Sequence, residues 1–110
     1  MRIQELTSVV DGDKTIYFLA NGEAGTIGIL RLDPDGFILS VLVEEARRGN
    51  KVGSLLVYAA CHWCQKAGRE SVGLSVSDSN PRARELYRRL GFIQYIPGHD
   101  GYTQFIKPLA

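Results

Sequence analysis

Halfway along the chain the hydrophobic period changes, and that change constrains the fold more than any other feature. Phe37 to Val43 (FILSVLV) is apolar at every position but Ser40. A run of this kind reads as a central strand buried on both faces. Beyond it, Val52, Leu55, Leu56, Ala59, Trp63 and Ala67 recur at three- and four-residue steps, the spacing of one helix face. Gly68 follows as the expected helix stop. A buried strand that turns through a short loop into an amphipathic helix makes the chain mixed α/β.

The flanks fit that frame. Upstream, Arg2 to Val10, Thr15 to Ala20 and Gly25 to Leu32 read as strands, separated by Asp11-Gly12-Asp13 and Asn21-Gly22. Asp33-Pro34-Asp35-Gly36 carries strong turn chemistry before the central run. Downstream, Ser71 to Val76 is a short strand, and Asn80-Pro81 opens a second helix with an N-cap and a proline at its first position. Ala83, Leu86, Tyr87 and Leu90 form its apolar stripe, and Gly91 ends it. Phe92 to Ile96 and Tyr102 to Ile106 are the last strands. The predicted order is four strands, helix, strand, helix, two strands.

At 110 residues the chain makes one domain, 1–110. A formal charge of +1 argues against a protein that works by coating nucleic acid or an anionic membrane. No apolar stretch reaches the ~20 residues of a bilayer span, and no targeting segment is visible, so a cytoplasmic protein is expected. Cys61 and Cys64 flank His62 and Trp63. No second ligand pair accompanies them, and they fall mid-helix rather than at a helix start where a thiol is activated, so they read as packed thiols and no metal is expected.

Chemistry concentrates in VEEARRGNKVGS, Val43 to Ser54. A strand running through a basic, glycine-bearing turn into a helix builds a phosphate cradle. Main-chain N–H groups at the helix start point outward, the helix N-terminus is partly positive, and Gly49 and Gly53 allow close approach. Arg47, Arg48 and Lys51 add charge. The segment is neither a Walker loop nor a dinucleotide fingerprint.

The second half narrows the choice. Val43 is followed by Arg48-Gly49-Asn50-Lys51-Val52-Gly53. After the next strand come Asn80, Tyr87 seven residues later, and Leu90-Gly91-Phe92. In order and spacing this resembles the Gcn5-related N-acetyltransferase (GNAT) family over about Phe37 to Phe92. The resemblance implies a largely antiparallel sheet of about seven strands with two main helices, splayed between strands four and five. It implies acetyl-CoA as co-substrate and transfer of an acetyl group to a primary amine. Leu42 and Val43 would pair with the pantetheine arm and offer an N–H to the acyl carbonyl. Arg48, Gly49, Asn50, Lys51, Val52, Gly53 and Ser54 would hold the pyrophosphate, and Asn80 would touch the coenzyme near its pantetheine. Tyr87 would protonate the departing thiolate, a sensible transfer from a phenol of pKa about 10 to a thiolate whose acid lies near 8.5.

The chain departs from the family's pattern at three places. Lys51 stands where the motif has its first glycine. Ser75 occupies a strand-five position at which some members carry a Glu base. The base is therefore open among Glu44, Glu45, His99 and water, with Glu44 the preferred candidate. Finally, a tight turn between Val10 and Lys14 replaces the helices that normally wall the acceptor site. A catalytically reduced module that binds acyl-CoA or a protein partner is the alternative function. A sheet without covering helices exposes apolar surface, which predicts a homodimer. Arg82, Arg84, Arg88 and Arg89 on the second helix read as a solvated face near the coenzyme's phosphates rather than a nucleic-acid patch.

Overall fold

The computed structural model describes residues 5–10, 12, 14–44, 51–96 and 100–109. Seven strands form one sheet: β1 (Glu5–Val10), β2 (Ile16–Gly22), β3 (Gly25–Asp33), β4 (Phe37–Val43), β5 (Ser71–Ser77), β6 (Ile93–Ile96) and β7 (Tyr102–Pro108), with α1 (Val52–Lys66) and α2 (Pro81–Arg89). The strand order is β1-β2-β3-β4-β5-β7-β6. The sheet is largely antiparallel, as the family resemblance implied, and its one parallel pairing is β4 with β5 among the described residues.

Local chemistry sets the turns. At the β3–β4 corner Asp33 accepts from Gly36 N–H through its carbonyl at 2.9 Å and from Asp35 N–H through Oδ1 at 2.8 Å. Gly36 sits at φ 100° with Ser71 O only 2.9 Å from where a Cβ would stand, so no side chain fits. Its carbonyl accepts from Gly73 N–H at 2.9 Å, and this corner starts the parallel joint. The β2–β3 hairpin turns at Glu23–Ala24, beyond the expected Asn21-Gly22. An irregularity between Ala20 and Asn21 shifts the register, and Thr26 Oγ1 donates to Asn21 Oδ1 at 3.0 Å across the lengthened strands. Asp11 and Asp13 of the first turn lie outside the described residues.

Residues opposite one another in a ladder share a face of the sheet. Gly28 lies under α1, where an added Cβ would stand 2.9 Å from Val52 Cγ1 and 3.0 Å from Leu56 Cδ1. Its register partners Ala20 and Val43, and the next rung Phe18–Leu30–Val41, therefore face α1. There lies the core of Phe18, Ala20, Leu30, Leu32, Ile38, Leu56, Ala60, Leu74, Phe92 and Phe105.

Two expected burial patterns change. Strand β4 is central but not buried on both faces: Ile38 is buried, while Leu42 is 66% and Leu39 43% exposed. Among the described residues only one face carries helices. On α1 the buried face runs through Val52, Leu56, Val57, Ala60, Cys61 and Cys64, while Leu55 is exposed and Trp63 half-buried. The helix is apolar on too many sides for periodicity to choose among them, and the contact at Gly28 makes the choice. The expected stripe of α2, Ala83, Leu86, Tyr87 and Leu90, is half-buried throughout, because this short helix borders a groove.

Candidate active site

The pairing of β4 with β5 is brief. Phe37 opposes Gly73, Ile38 opposes Leu74, and the pairing stops there. From Leu39 onward the two strands part. Glu44 N–H donates to the Ile27 carbonyl at 2.8 Å, and main-chain direction alternates along a strand. The main-chain groups of Val43 and Val41 therefore point away from β3, into the opening.

A groove of about 530 Å³ occupies the opening. Val41, Leu42 and Val43 form one wall and Gly53, at the start of α1, the floor. The other wall is α2 with its cap: Asn80, Arg82, Ala83, Leu86, Tyr87 and Arg89. A Cβ on Gly53 would meet Val43 Cγ2 at 3.7 Å and Val41 Cγ1 at 4.0 Å, ordinary contact distances. The fold therefore does not require glycine here; its missing side chain serves as room in the groove. Among the described residues the first turn of α1 has no side-chain cap and no acidic residue, an arrangement suited to an anion.

Lys51 precedes that turn at φ 64° and ψ 16°, the left-handed conformation that glycine adopts without cost. The position thus takes a backbone suited to glycine while carrying a lysine side chain. Val52 is buried against Gly28, whereas Ser54 is half-buried at the helix start. Arg48, Gly49 and Asn50 lie outside the described residues, as do Glu45 and His99.

Asn80 caps α2 as expected, its Oδ1 accepting from Ala83 N–H at 3.1 Å, with Pro81 in the first helical position. That bond uses the oxygen, and the amide NH₂ has no partner among the described residues. The preceding turn is braced by Thr103 Oγ1 donating to Asp78 Oδ1 at 2.6 Å. Tyr87 comes two turns along the same helix. Its ring meets the edge of Phe92, centroids 5.6 Å apart and planes at 73°. Burial pushes its phenol above the ordinary value of 10, so it stays protonated at neutral pH. Arg84 Nη1 donates to the Asp78 carbonyl at 3.4 Å and Arg88 stands 3.8 Å from Glu85, whereas Arg82 and Arg89 line the groove.

Across β4 lies a second, shallower depression of about 320 Å³, lined by Thr26 to Ile29 and by Leu42, Val43 and Glu44. The two depressions share only Leu42 and Val43. Exposed Glu44 therefore belongs to the second, on the far side of the strand end from Tyr87. Ser75 is exposed on β5. The sequence reading brought together Leu42, Val43, Gly53, Asn80 and Tyr87, and they do meet around one groove. It missed Val41, which the two-residue strand period from Val43 would have found, and Leu86, which it assigned to the core.

Cys61 and Cys64 are buried and unlinked, with His62 exposed beside them. Burial raises both thiols, Cys64 to about 11 with a further push from Cys61, which makes them poor nucleophiles. Among the described residues no group of three His, Cys, Asp or Glu is placed to hold a metal, and no helix is long and apolar enough to cross a membrane.

The sequence pattern of the Acetyltransferase (GNAT) family matches residues 4–92. The chain belongs to this family of N-acetyltransferases. The mycothiol acetyltransferase of Thermomonospora curvata is 33% identical over 82 residues, covering 71% of this chain and 28% of that protein. The chain thus spans under a third of the length of this curated relative. Among solved structures, a streptothricin acetyltransferase of Bacillus anthracis in complex with acetyl coenzyme A superposes with a TM-score of 0.78 at 18% identity, over 87% of this chain and 63% of that one. The ribosomal-protein-S18-alanine N-acetyltransferase of Escherichia coli gives 0.75 at 20%, over 91% and 72%. At those identities the likeness shows a shared fold.

Proposed function

We propose that the chain transfers an acetyl group from acetyl-CoA to a primary amine by direct attack. One observation carries the reading: the β4–β5 joint ends after two residue pairs, and the groove it opens gathers the β4 main chain, Gly53, Asn80 and Tyr87. The pantetheine arm would lie along β4 beyond the two rungs it shares with β5. The uncapped start of α1, with Lys51, Arg82 and Arg89 nearby, suits the phosphates.

The thioester would then sit beside Leu42 and Val43, the boundary between the two depressions. An amine entering from the Glu44 side attacks the acyl carbon, and a β4 main-chain N–H stabilises the oxyanion. The carbon–sulfur bond breaks with its electron pair on sulfur, and Tyr87 supplies the proton. The proton lost by the amine passes to Glu44, directly or through water. Calorimetric titration with acetyl-CoA, followed by assay of CoA release with a panel of amines, tests this. Absence of acetyl-CoA binding overturns it.

Three observations favour a second reading, a coenzyme-binding module with reduced catalysis. Val10 pairs directly with Ile16 across the first turn, Lys51 replaces a motif glycine, and Ser75 replaces a base. Acetyl-CoA binding without CoA release on any amine would favour it. Either version is proposed to act as a homodimer, since among the described residues one face of the sheet carries no helix.

A further inference from the structure

The end of β4, which separates the two depressions, also divides charge. On the coenzyme side Arg82 and Arg89 line the groove, and Lys51 stands at the start of α1. In the depression across the strand, Glu44 is the one charged side chain among the described lining residues. Ile27, Ile29, Leu42 and Val43 make the lining apolar, and the hydroxyl of Thr26 already donates to Asn21 Oδ1.

The β3–β4 ladder sets the order of these groups. Ile29 opposes Leu42. Beyond them, toward the strand end, Glu44 N–H donates to the Ile27 carbonyl at 2.8 Å. In the other direction Arg31 opposes Ser40, and its Nε donates to Ser40 Oγ at 2.9 Å. Positions two apart along a strand share a face, at a spacing of about 7 Å. One face therefore carries, in sequence, the carboxylate of Glu44, the apolar step of Leu42 and Ile29, and the guanidinium of Arg31.

That order selects among amines. At about 320 Å³ the depression holds about ten non-hydrogen atoms. An ammonium group meets its counter-charge at Glu44, and the carbons beside it come to lie on Leu42 and Ile29. A second ammonium group would lose its hydration on the apolar step or meet the like charge of Arg31. We propose, resting on the acyltransferase reading, that the acceptor is a small primary amine with one positive charge and a short apolar flank, and that Ile29 and Arg31 set this preference. A free alkylamine and a peptide N-terminus on an apolar residue share this chemistry.

CoA release at saturating acetyl-CoA is to be measured with ethylamine, butylamine, hexylamine, 1,6-diaminohexane, spermine and tetrapeptides beginning with leucine or serine. Along the alkyl series kcat/KM should rise about twofold per methylene, as each is half-covered in a shallow site. Hexylamine should exceed 1,6-diaminohexane and spermine by about fivefold or more. Ile29→Thr should raise KM about fivefold for hexylamine and less than about twofold for ethylamine, a dependence on chain length that a damaged fold would not give. Arg31→Glu, at an exposed site, keeps the test open if Ile29→Thr misfolds, and should favour 1,6-diaminohexane over hexylamine by about fivefold relative to wild type. A leucine-ended peptide that outruns both hexylamine and its serine counterpart assigns the site to peptide N-termini, and the reverse order assigns it to free amines; either supports the class. A flat alkyl series, or spermine as the best acceptor, overturns it. Methyl NMR during titration with hexylamine reads the site without transfer: the Ile29 and Leu42 signals should shift in wild type. Absence of those shifts overturns the site whether or not CoA is released. Shifts without CoA release from any amine leave the binding preference standing and overturn the acyltransferase reading.

Discussion

Helix α1 meets the sheet along two seams that start one residue apart. At the closed seam Val52 lies on Gly28, where an added Cβ would come within 2.9 Å of its side chain. At the open seam Gly53 faces Val41 and Val43 at 3.7 and 4.0 Å, and the space beyond is a groove. Both glycines read alike in sequence. One is glycine because the fold has no room, the other although the fold has room. The difference separates a residue kept for packing from one suited to a ligand, and substitution can probe it.

The largest effect belongs to the open seam. Tyr87→Phe keeps the ring against Phe92 but removes the proton, and CoA release at saturating substrates should fall by about 10²-fold or more. The fold and acetyl-CoA affinity should be nearly unchanged. Wild-type turnover in this variant would remove the acid from the mechanism. Next comes the closed seam: Gly28→Ala should cost about 1–3 kcal/mol in urea denaturation, because Val52 and Leu56 must move apart to admit the methyl.

Gly53→Ala is the decisive counterpart. Stability should hold or rise by up to about 1 kcal/mol, as glycine is a poor helix former. Acetyl-CoA affinity should nevertheless fall about tenfold, equivalent to about 1.4 kcal/mol. A loss of stability like that of Gly28→Ala would erase the distinction between the seams.

The smallest effect is a pH dependence at the closed seam. Cys64 is raised from 9.0 to about 11 by burial. The unfolded thiol therefore ionises first, and the folded state binds more protons between those values. Its contribution to stability is fully present below pH 9 and should be lost as pH rises through about 11. Cys64→Ala should flatten that decline in chemical denaturation. Tyr87, also raised by burial, acts in the same direction at higher pH.

What could be read from sequence was what depends on spacing. Val43 ends an apolar run, Asn80 caps a helix that opens on a proline, and Tyr87 falls in that helix's last turn before a stop glycine; the structure brings them to one groove. Burial was harder to read. FILSVLV is apolar enough to be covered on both faces, but the covering must come from elsewhere in the molecule, and no helix among the described residues supplies it. In α1, Leu55 and Leu56 are chemically alike, and only contact with Gly28 decides that Leu56 turns inward. The left-handed backbone at Lys51 was likewise hidden, since lysine gives no local sign of positive φ.

The brief parallel joint also has a bearing on how the chain folds. Strands β1 to β4 pair with immediate sequence neighbours through short turns, so their contacts are local and cheap to close. Phe37 and Gly73 meet only after all of α1 has been threaded between them. Loop closure spanning so much chain, rewarded by two rungs, is expected to come late. Mutations at Gly73 would then speed unfolding with little effect on folding rate, while mutations in the β2–β3 hairpin would do the reverse.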